Sequence, residues 1–132
     1  MTHSLSIARL TLTDFRNHAA LDLELDPRPV CLFGPNGAGK TNILEALTML
    51  APGRGLRSAS LTDVARTGDD MRVQPWAVSA RVLQDGEETV LGAGAERTPE
   101  GGVKRVARRD GQPATATELA EAARMTWLTP AM

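Results

Sequence analysis

Apolar and polar residues alternate along two segments near the start of the chain, a pattern typical of strands with one buried face. The first segment covers residues 5–15, and its alternation slips once around Ala8. In the second segment, leucines at positions 21, 23 and 25 alternate with acidic residues. Residues 16–18 lie between them and are predicted to form the turn of a hairpin.

The second half of the chain predicts further strands joined by short turns. Residues 76–82 alternate, and Asp85-Gly86 supplies a tight-turn signal before residues 89–91. Residues 103–109 predict another strand, which ends at a second turn signal, Asp110-Gly111. This half is therefore expected to be rich in antiparallel strands.

A short run at residues 30–33 is apolar at every position. Such a run suits a central strand covered on both faces. Cys31, the single cysteine, lies inside it and is predicted to be a buried, inert thiol. One cysteine excludes an intrachain disulfide and a site built from several thiolates.

Two helices are predicted. In the first, Ile43, Leu44, Leu47 and Leu50 fall on one stripe. The second begins at a capping box in which Thr115 is followed three residues later by Glu118, and it carries one apolar face at residues 119, 122 and 123. Trp76 and Trp127 lie in apolar strand patterns and are predicted to be core residues.

Composition adds few constraints. The chain has 132 residues, enough for one domain, and a formal net charge of −1. Binding to nucleic acid would therefore need a local basic patch. The sequence lacks a signal peptide and a long apolar stretch, so we expect a cytoplasmic protein.

The strongest chemical signal is a glycine-rich loop between residues 30–33 and the first helix, which matches the pattern G-x-x-x-x-G-K-[ST]. Glycines leave room for an anion and permit the backbone N–H groups to converge on it. The lysine supplies charge for the β- and γ-phosphates, and the threonine hydroxyl can ligate Mg²⁺. A plain strand-to-helix turn is the alternative, but the strand–loop–helix context favours a nucleotide triphosphate, ATP. The loop residues are Gly34, Pro35, Asn36, Gly37, Ala38, Gly39, Lys40 and Thr41.

Residues 12–17, 34–41 and 42–47 together resemble the N-terminal lobe of the RecF recombination-mediator family, whose relatives include the SMC and Rad50 ATPases. Residues 53–58 resemble RecF specifically. The similarity is strong over residues 5–68, weakens to general layout over 74–125, and returns at 127–130.

The resemblance implies an α/β fold, namely the N-terminal lobe of an ABC/SMC-like P-loop NTPase in which a mixed sheet carries an antiparallel β-rich subdomain. Residues 1–132 would form part of an ATP-binding head, with the P-loop portion at 1–70 and the β-rich subdomain and short helix at 71–132. It also implies a DNA replication and repair protein of the SOS response that dimerises around ATP. Such proteins bind DNA at single-strand gaps and aid recombinase loading with RecO and RecR.

The sequence departs from the family because it contains no signature motif and no Walker B strand ending in Asp-Glu. Hydrolysis needs a carboxylate to hold Mg²⁺ and to position water. We therefore expect an N-terminal fragment that does not turn over ATP alone. Another SMC-, Rad50- or OLD-like ATPase head, and a non-catalytic nucleotide-binding module, remain open as alternatives.

The role of each basic residue or cluster outside the loop has two interpretations. By resemblance, Arg16 contacts ATP, whereas a solvated turn arginine is the plain alternative. Arg54, Arg57 and Arg66 either meet DNA phosphates or nucleotide, or belong to a solvated loop. The densest basic cluster is a candidate DNA contact or an example of edge-strand protection. That cluster consists of Lys104, Arg105, Arg108 and Arg109. His3 and His18 are predicted to be exposed, without a metal or catalytic partner.

Overall fold

A computed structural model of the protein describes residues 5–16, 18–35, 39–51 and 75–124. These residues form six strands and two helices. In chain order the elements are β1 (Leu5–Phe15), β2 (His18–Glu24), α1 (Lys40–Thr48), β3 (Trp76–Gln84), β4 (Glu87–Arg97), β5 (Val103–Arg109), β6 (Gln112–Pro113) and α2 (Ala116–Ala122).

The six strands form one sheet with the order β2-β1-β3-β4-β5-β6. Every neighbouring pair among these described strands is antiparallel. The hairpin predicted from the first two segments is confirmed, and the slip in alternation around Ala8 coincides with a register shift between Ile7 and Arg9. Because β1 pairs with β3, the sheet includes strands from both sides of residue 70.

The two Asp-Gly turns are confirmed. Asp85 and Gly86 have φ values of 50° and 85°, and Asp110 and Gly111 have 51° and 82°. Positive φ at both central residues is the geometry that matches the twist of a two-residue hairpin, and aspartate followed by glycine tolerates it well. The two sequence signals therefore place the ends of β3 and β5 correctly.

One face of the sheet carries the core. Alternate residues of β1, β3 and β4 pack there against α1 and α2. Trp76 is buried and meets the buried Phe15 edge to face, with ring centroids 5.4 Å apart and an interplanar angle of 76°. The prediction of Trp76 as a core residue is thus confirmed, while Trp127 and His3 lie outside the described residues.

Residues 30–33 are not a strand, and this prediction is wrong. Val30 is 56% exposed, Phe33 is 92% exposed, and Cys31 is exposed as well, so the thiol is not buried. A strand requires a neighbour to accept and donate its ladder hydrogen bonds, and among the described residues none pairs with this segment. Apolar composition alone therefore does not make it a strand.

The predicted stripe of α1 is correct at three of its four positions. Leu50 is buried, and Ile43 and Leu47 are partly buried against the core, but Leu44 is 49% exposed. The buried residues of α1 and its C-terminal end also include Ala46, Met49 and the acidic Glu45, which the stripe did not contain.

The second helix, α2, follows its prediction. The Thr115 hydroxyl accepts a hydrogen bond from the Glu118 backbone N–H at 3.2 Å, which confirms the cap. Leu119, Ala122 and Ala123 are buried against the sheet. Neither described helix is long and apolar enough to cross a membrane.

Candidate phosphate-binding site

The N-terminus of α1 is open to an anion. Gly39 is its N-cap, with a left-handed backbone (φ 93°, ψ 18°) that glycine adopts without steric cost. Among the described residues no side chain caps this end, so no capping oxygen from them satisfies the first N–H groups of the helix. The dipole of α1 adds partial positive charge at the same place.

The lysine of the motif closes the loop across this helix end. The Lys40 ammonium donates a hydrogen bond to the carbonyl of Gly34, the first residue of the motif. Gly34 has a φ of 154°, which other residues rarely adopt. Thr41 is an exposed residue in the first turn of α1. Residues 36–38 of the predicted loop lie outside the described residues, whereas Pro35 is described and exposed.

These groups fit a nucleoside triphosphate with its magnesium ion. Main-chain donors and an ammonium group complement a polyanion, and a hydroxyl is the hard oxygen ligand that Mg²⁺ prefers. Lys40 and the N–H groups of the first turn would hold phosphates, and Thr41 would face the metal.

Arg16 contacts the helix that follows the loop. Its Nε donates to Glu45 Oε1 at 2.7 Å and its Nη2 donates to Glu45 Oε2 at 2.9 Å, a bidentate ion pair. The Glu45 side chain is 0% exposed, so this pair supplies a buried carboxylate with a countercharge. Arg16 itself has a left-handed backbone with a φ of 52°. Sequence reasoning did not identify Glu45, although an acidic residue between Leu44 and Ala46 was a usable signal.

His18 is not simply a solvent-exposed residue, contrary to the prediction. It is half-buried, and its Nε2 lies 3.2 Å from the Gly39 carbonyl oxygen. A carbonyl only accepts, so Nε2 must carry the proton and donate. Nothing in the sequence pattern marks this contact, because it depends on how the β1–β2 turn meets the start of α1.

The basic residues of β5 do not share one surface. Arg105 points to the helix side and donates from Nη2 to the carbonyls of Met49 (3.0 Å) and Ala51 (3.2 Å) at the C-terminal end of α1. Burial lowers the pKa of the Arg105 guanidinium. On the other face, Arg108 pairs with Glu96 at 2.7 Å.

The remaining two cations of this cluster, Lys104 and Arg109, are exposed. Lys104 stands opposite Glu96 in the ladder between β4 and β5. Arg54, Arg57 and Arg66 lie outside the described residues.

Known proteins resemble this chain in sequence and in fold. Residues 6–130 match the RecF/RecN/SMC N terminal domain family. The chain is 47% identical over 133 residues to the DNA replication and repair protein RecF of Agrobacterium fabrum (strain C58 / ATCC 33970), covering 100% of this chain and 35% of that protein. It is 44% identical over 132 residues to RecF of Rhizobium leguminosarum bv. trifolii (strain WSM2304), covering 100% of this chain and 34% of that protein.

A solved structure of "the recombination mediator protein RecF-ATP in RecFOR pathway" matches with a TM-score of 0.68 at 23% identity, over 89% of this chain and 31% of that one. This likeness shows the shared fold of an N-terminal ABC/SMC-like ATPase lobe. The chain spans about a third of the length of the curated relatives it matches. It therefore belongs to the RecF/RecN/SMC N-terminal domain family, in which these relatives are RecF proteins.

Proposed function

We propose that this chain is the N-terminal, ATP-binding part of a RecF-type DNA replication and repair protein. The observation that carries the proposal is the N-terminus of α1, which has a glycine cap, no side-chain cap and Lys40 in its first turn. The solved RecF-ATP structure that shares this fold supports ATP as the nucleotide. Mg²⁺ would join the site through Thr41.

Calorimetry with Mg-ATP tests this binding. Lys40→Ala removes the ammonium group and should weaken binding about tenfold or more, since hydrogen bonds to charged groups are the stronger ones. Lys104→Ala is the matched control, because Lys104 is exposed on β5 and lies outside the loop. The proposal fails if folded wild-type protein shows no binding at millimolar Mg-ATP, or if both substitutions have the same effect.

The role of Thr41 is tested by varying the metal. Thr41→Ala should lower the affinity for Mg-ATP, whereas Thr41→Ser should retain it because serine keeps the hydroxyl. Metal-free ATP should bind both variants equally. Equal Mg-ATP affinity of the alanine and serine variants would remove Thr41 from the metal site.

ATP turnover is not expected from these 132 residues, since the sequence carries no signature motif and no Walker B carboxylates. A phosphate-release assay on purified protein should give no signal above the Lys40→Ala background. Sustained release that depends on Lys40 would show that the residues present suffice for hydrolysis.

The proposal also includes binding to DNA at single-strand gaps, ATP-dependent dimerisation and recombinase loading with RecO and RecR. A role in the SOS response and a cytoplasmic location complete it. They rest on the kinship with RecF proteins. For DNA, Lys104 and Arg109 are the first residues to test, because Arg105 binds helix carbonyls and Arg108 binds Glu96.

Reversal of both charges, Lys104→Glu with Arg109→Glu, should reduce the salt dependence of duplex binding by about 0.9 in log–log slope for each lost phosphate contact. Arg28→Glu is a control, since Arg28 is exposed, pairs with Asp26 and follows β2, which is the edge strand on the other side of the sheet from β6. An unchanged slope in the double variant would exclude Lys104 and Arg109 from the DNA interface.

A further inference from the structure

Two side chains at the β1–β2 connection contact α1 and its N-cap. Arg16 reaches Glu45, and His18 reaches the carbonyl of Gly39. Phe15, the residue before Arg16, holds this connection in place. It is fully buried against Trp76 and pairs with His18 in the β1–β2 ladder. We refer to the Arg16–Glu45 and His18–Gly39 interactions together as the hairpin contact.

The His18 interaction acts on a single peptide group. The Gly39 carbonyl accepts two hydrogen bonds, one from His18 and one from the Ile43 backbone N–H at 3.1 Å. The same planar peptide unit carries the N–H of Lys40, at the end of α1 where an anion would sit. Holding the carbonyl from two sides therefore fixes the direction of that N–H, and a hydrogen bond to the carbonyl also polarises it as a donor.

The Arg16 interaction acts on the helix as a whole. Its two hydrogen bonds are parallel and bidentate, a geometry that restrains direction as well as distance. Glu45 is fully buried on the helix face that packs on the sheet, so the pair fixes how α1 is rotated and placed. It also offsets a carboxylate that would otherwise oppose a polyanion bound at the start of the same helix.

We propose that Arg16 and His18 are positioning residues of the phosphate site, which act through Glu45 and through the Gly39 peptide rather than by touching the nucleotide. This inference rests on the proposed nucleotide binding and replaces the direct ATP contact that family resemblance implied for Arg16. It adds His18 and Glu45 to the residues on which nucleotide affinity depends.

A pair of substitutions at His18 tests the peptide contact. His18→Leu removes the donor and should weaken Mg-ATP binding about threefold to tenfold, the range for one neutral hydrogen bond. His18→Gln retains a terminal N–H and should restore most of the affinity. In nucleotide-free protein, the ¹H–¹⁵N resonance of the Lys40 amide should shift in the leucine variant and return toward its wild-type position in the glutamine variant. Equal Mg-ATP affinity of the leucine variant and wild type, or an unmoved Lys40 resonance, would overturn the His18 assignment.

A double-mutant cycle tests Arg16. Arg16→Ala and Glu45→Gln should each weaken Mg-ATP binding, and the double variant should be no weaker than the worse single, with a coupling of about tenfold. Additive losses would mean that Arg16 acts on the nucleotide independently of Glu45 and would overturn its positioning role. Arg16→Lys gives a second measurement if the alanine variant does not fold. Lysine keeps the charge but loses the fork, so positioning predicts weaker binding, whereas a direct phosphate contact predicts retained binding.

Different results would reject the proposed nucleotide binding and the positioning roles of Arg16 and His18. Absence of Mg-ATP binding by folded wild-type protein would reject the proposed function, while the Lys40 resonance would still report on the hairpin contact. Normal wild-type binding, together with normal binding by the His18→Leu and Arg16→Lys variants, would reject the positioning roles alone.

Discussion

Gly94→Ala should destabilise the protein because the backbone of β3 passes too close to this glycine. A Cβ built on Gly94 would lie well within the 3.0 Å that real Cβ atoms keep from the backbone carbonyl oxygen of Trp76, and 3.4 Å from the Ala77 Cα. Both obstacles are main-chain atoms of a paired strand in the middle of the sheet, so neither can rotate away. The strands would have to separate locally.

Gly92 is the matched control on the same strand. A Cβ there would meet the Arg108 Cβ and the Val78 carbonyl oxygen, each at an ordinary 3.8 Å. Overpacking typically costs about 1–3 kcal/mol, whereas replacing glycine by alanine at an unstrained site gains about 0.4–1 kcal/mol from the unfolded chain. The free energy of unfolding should therefore fall by about 1–2 kcal/mol for Gly94→Ala and rise by about 0.5 kcal/mol for Gly92→Ala.

Urea unfolding of the two variants and wild type, followed by far-UV circular dichroism, measures the difference. With a slope near 1 kcal/mol per molar urea, typical of small domains, the two midpoints should differ by about 2 M. Tryptophan fluorescence is the less suitable signal, since Trp76 lies at the altered contact. Midpoints of the two variants that agree within error would show that the sheet yields at Gly94, and the steric reasoning would be wrong.

Three further outcomes are expected. Arg105→Met removes the two hydrogen bonds to the end of α1 and should lower the free energy of unfolding by about 1–2 kcal/mol, measured by urea unfolding against Arg108→Met, whose partner is on the surface. Thr115→Ala should cost about 1 kcal/mol through loss of the α2 cap, checked by the same assay against Thr115→Ser. The hydrogen bond from Arg9 lowers the pKa of Asp22 in the folded protein. The stability difference between wild type and Asp22→Asn should therefore be present above about pH 4 and be lost progressively as the pH falls further, through the lowered pKa, in thermal melts across pH. A stability difference that does not shrink as the pH falls below about 4 would contradict the Asp22 prediction, and a serine variant as unstable as the alanine variant would contradict the cap prediction.

The elements that could be predicted are those whose cause is local. Alternation predicted β1, β2 and β3 because each packs one face on the core, and the two Asp-Gly pairs predicted the turns because their backbone has positive φ. Even the register shift near Ala8 left a mark, since an extra residue reverses the alternation. The cap of α2 was also predictable, because its donor and acceptor lie three residues apart.

The predictions that failed depended on a partner far away in the sequence. Residues 30–33 have the composition of a buried strand, but strand formation requires a hydrogen-bonding neighbour, which composition cannot supply. The burial of Glu45 beside Arg16, 29 residues earlier in the chain, was not predicted either. The glycine-rich motif is visible in the sequence because its residues are consecutive, whereas the contacts of Arg16 with Glu45 and of His18 with Gly39 join residues far apart in the chain.

The orientation of α1 is decided by contacts at several points along it. The β1–β2 turn holds Gly39 and Glu45, and Arg105 of β5 holds the last carbonyls, 56 residues away from Met49 in sequence. In the sheet, β1 and β5 are separated by β3 and β4, so the contacts that hold α1 come from strands on both sides of the sheet centre. An anion site at a helix end is directional, because its donors point along the helix axis. Under the proposed function, the sheet contributes to nucleotide binding without touching the nucleotide: it fixes the axis along which the donors of Lys40 and Thr41 point, and a change at either end of the helix alters that axis.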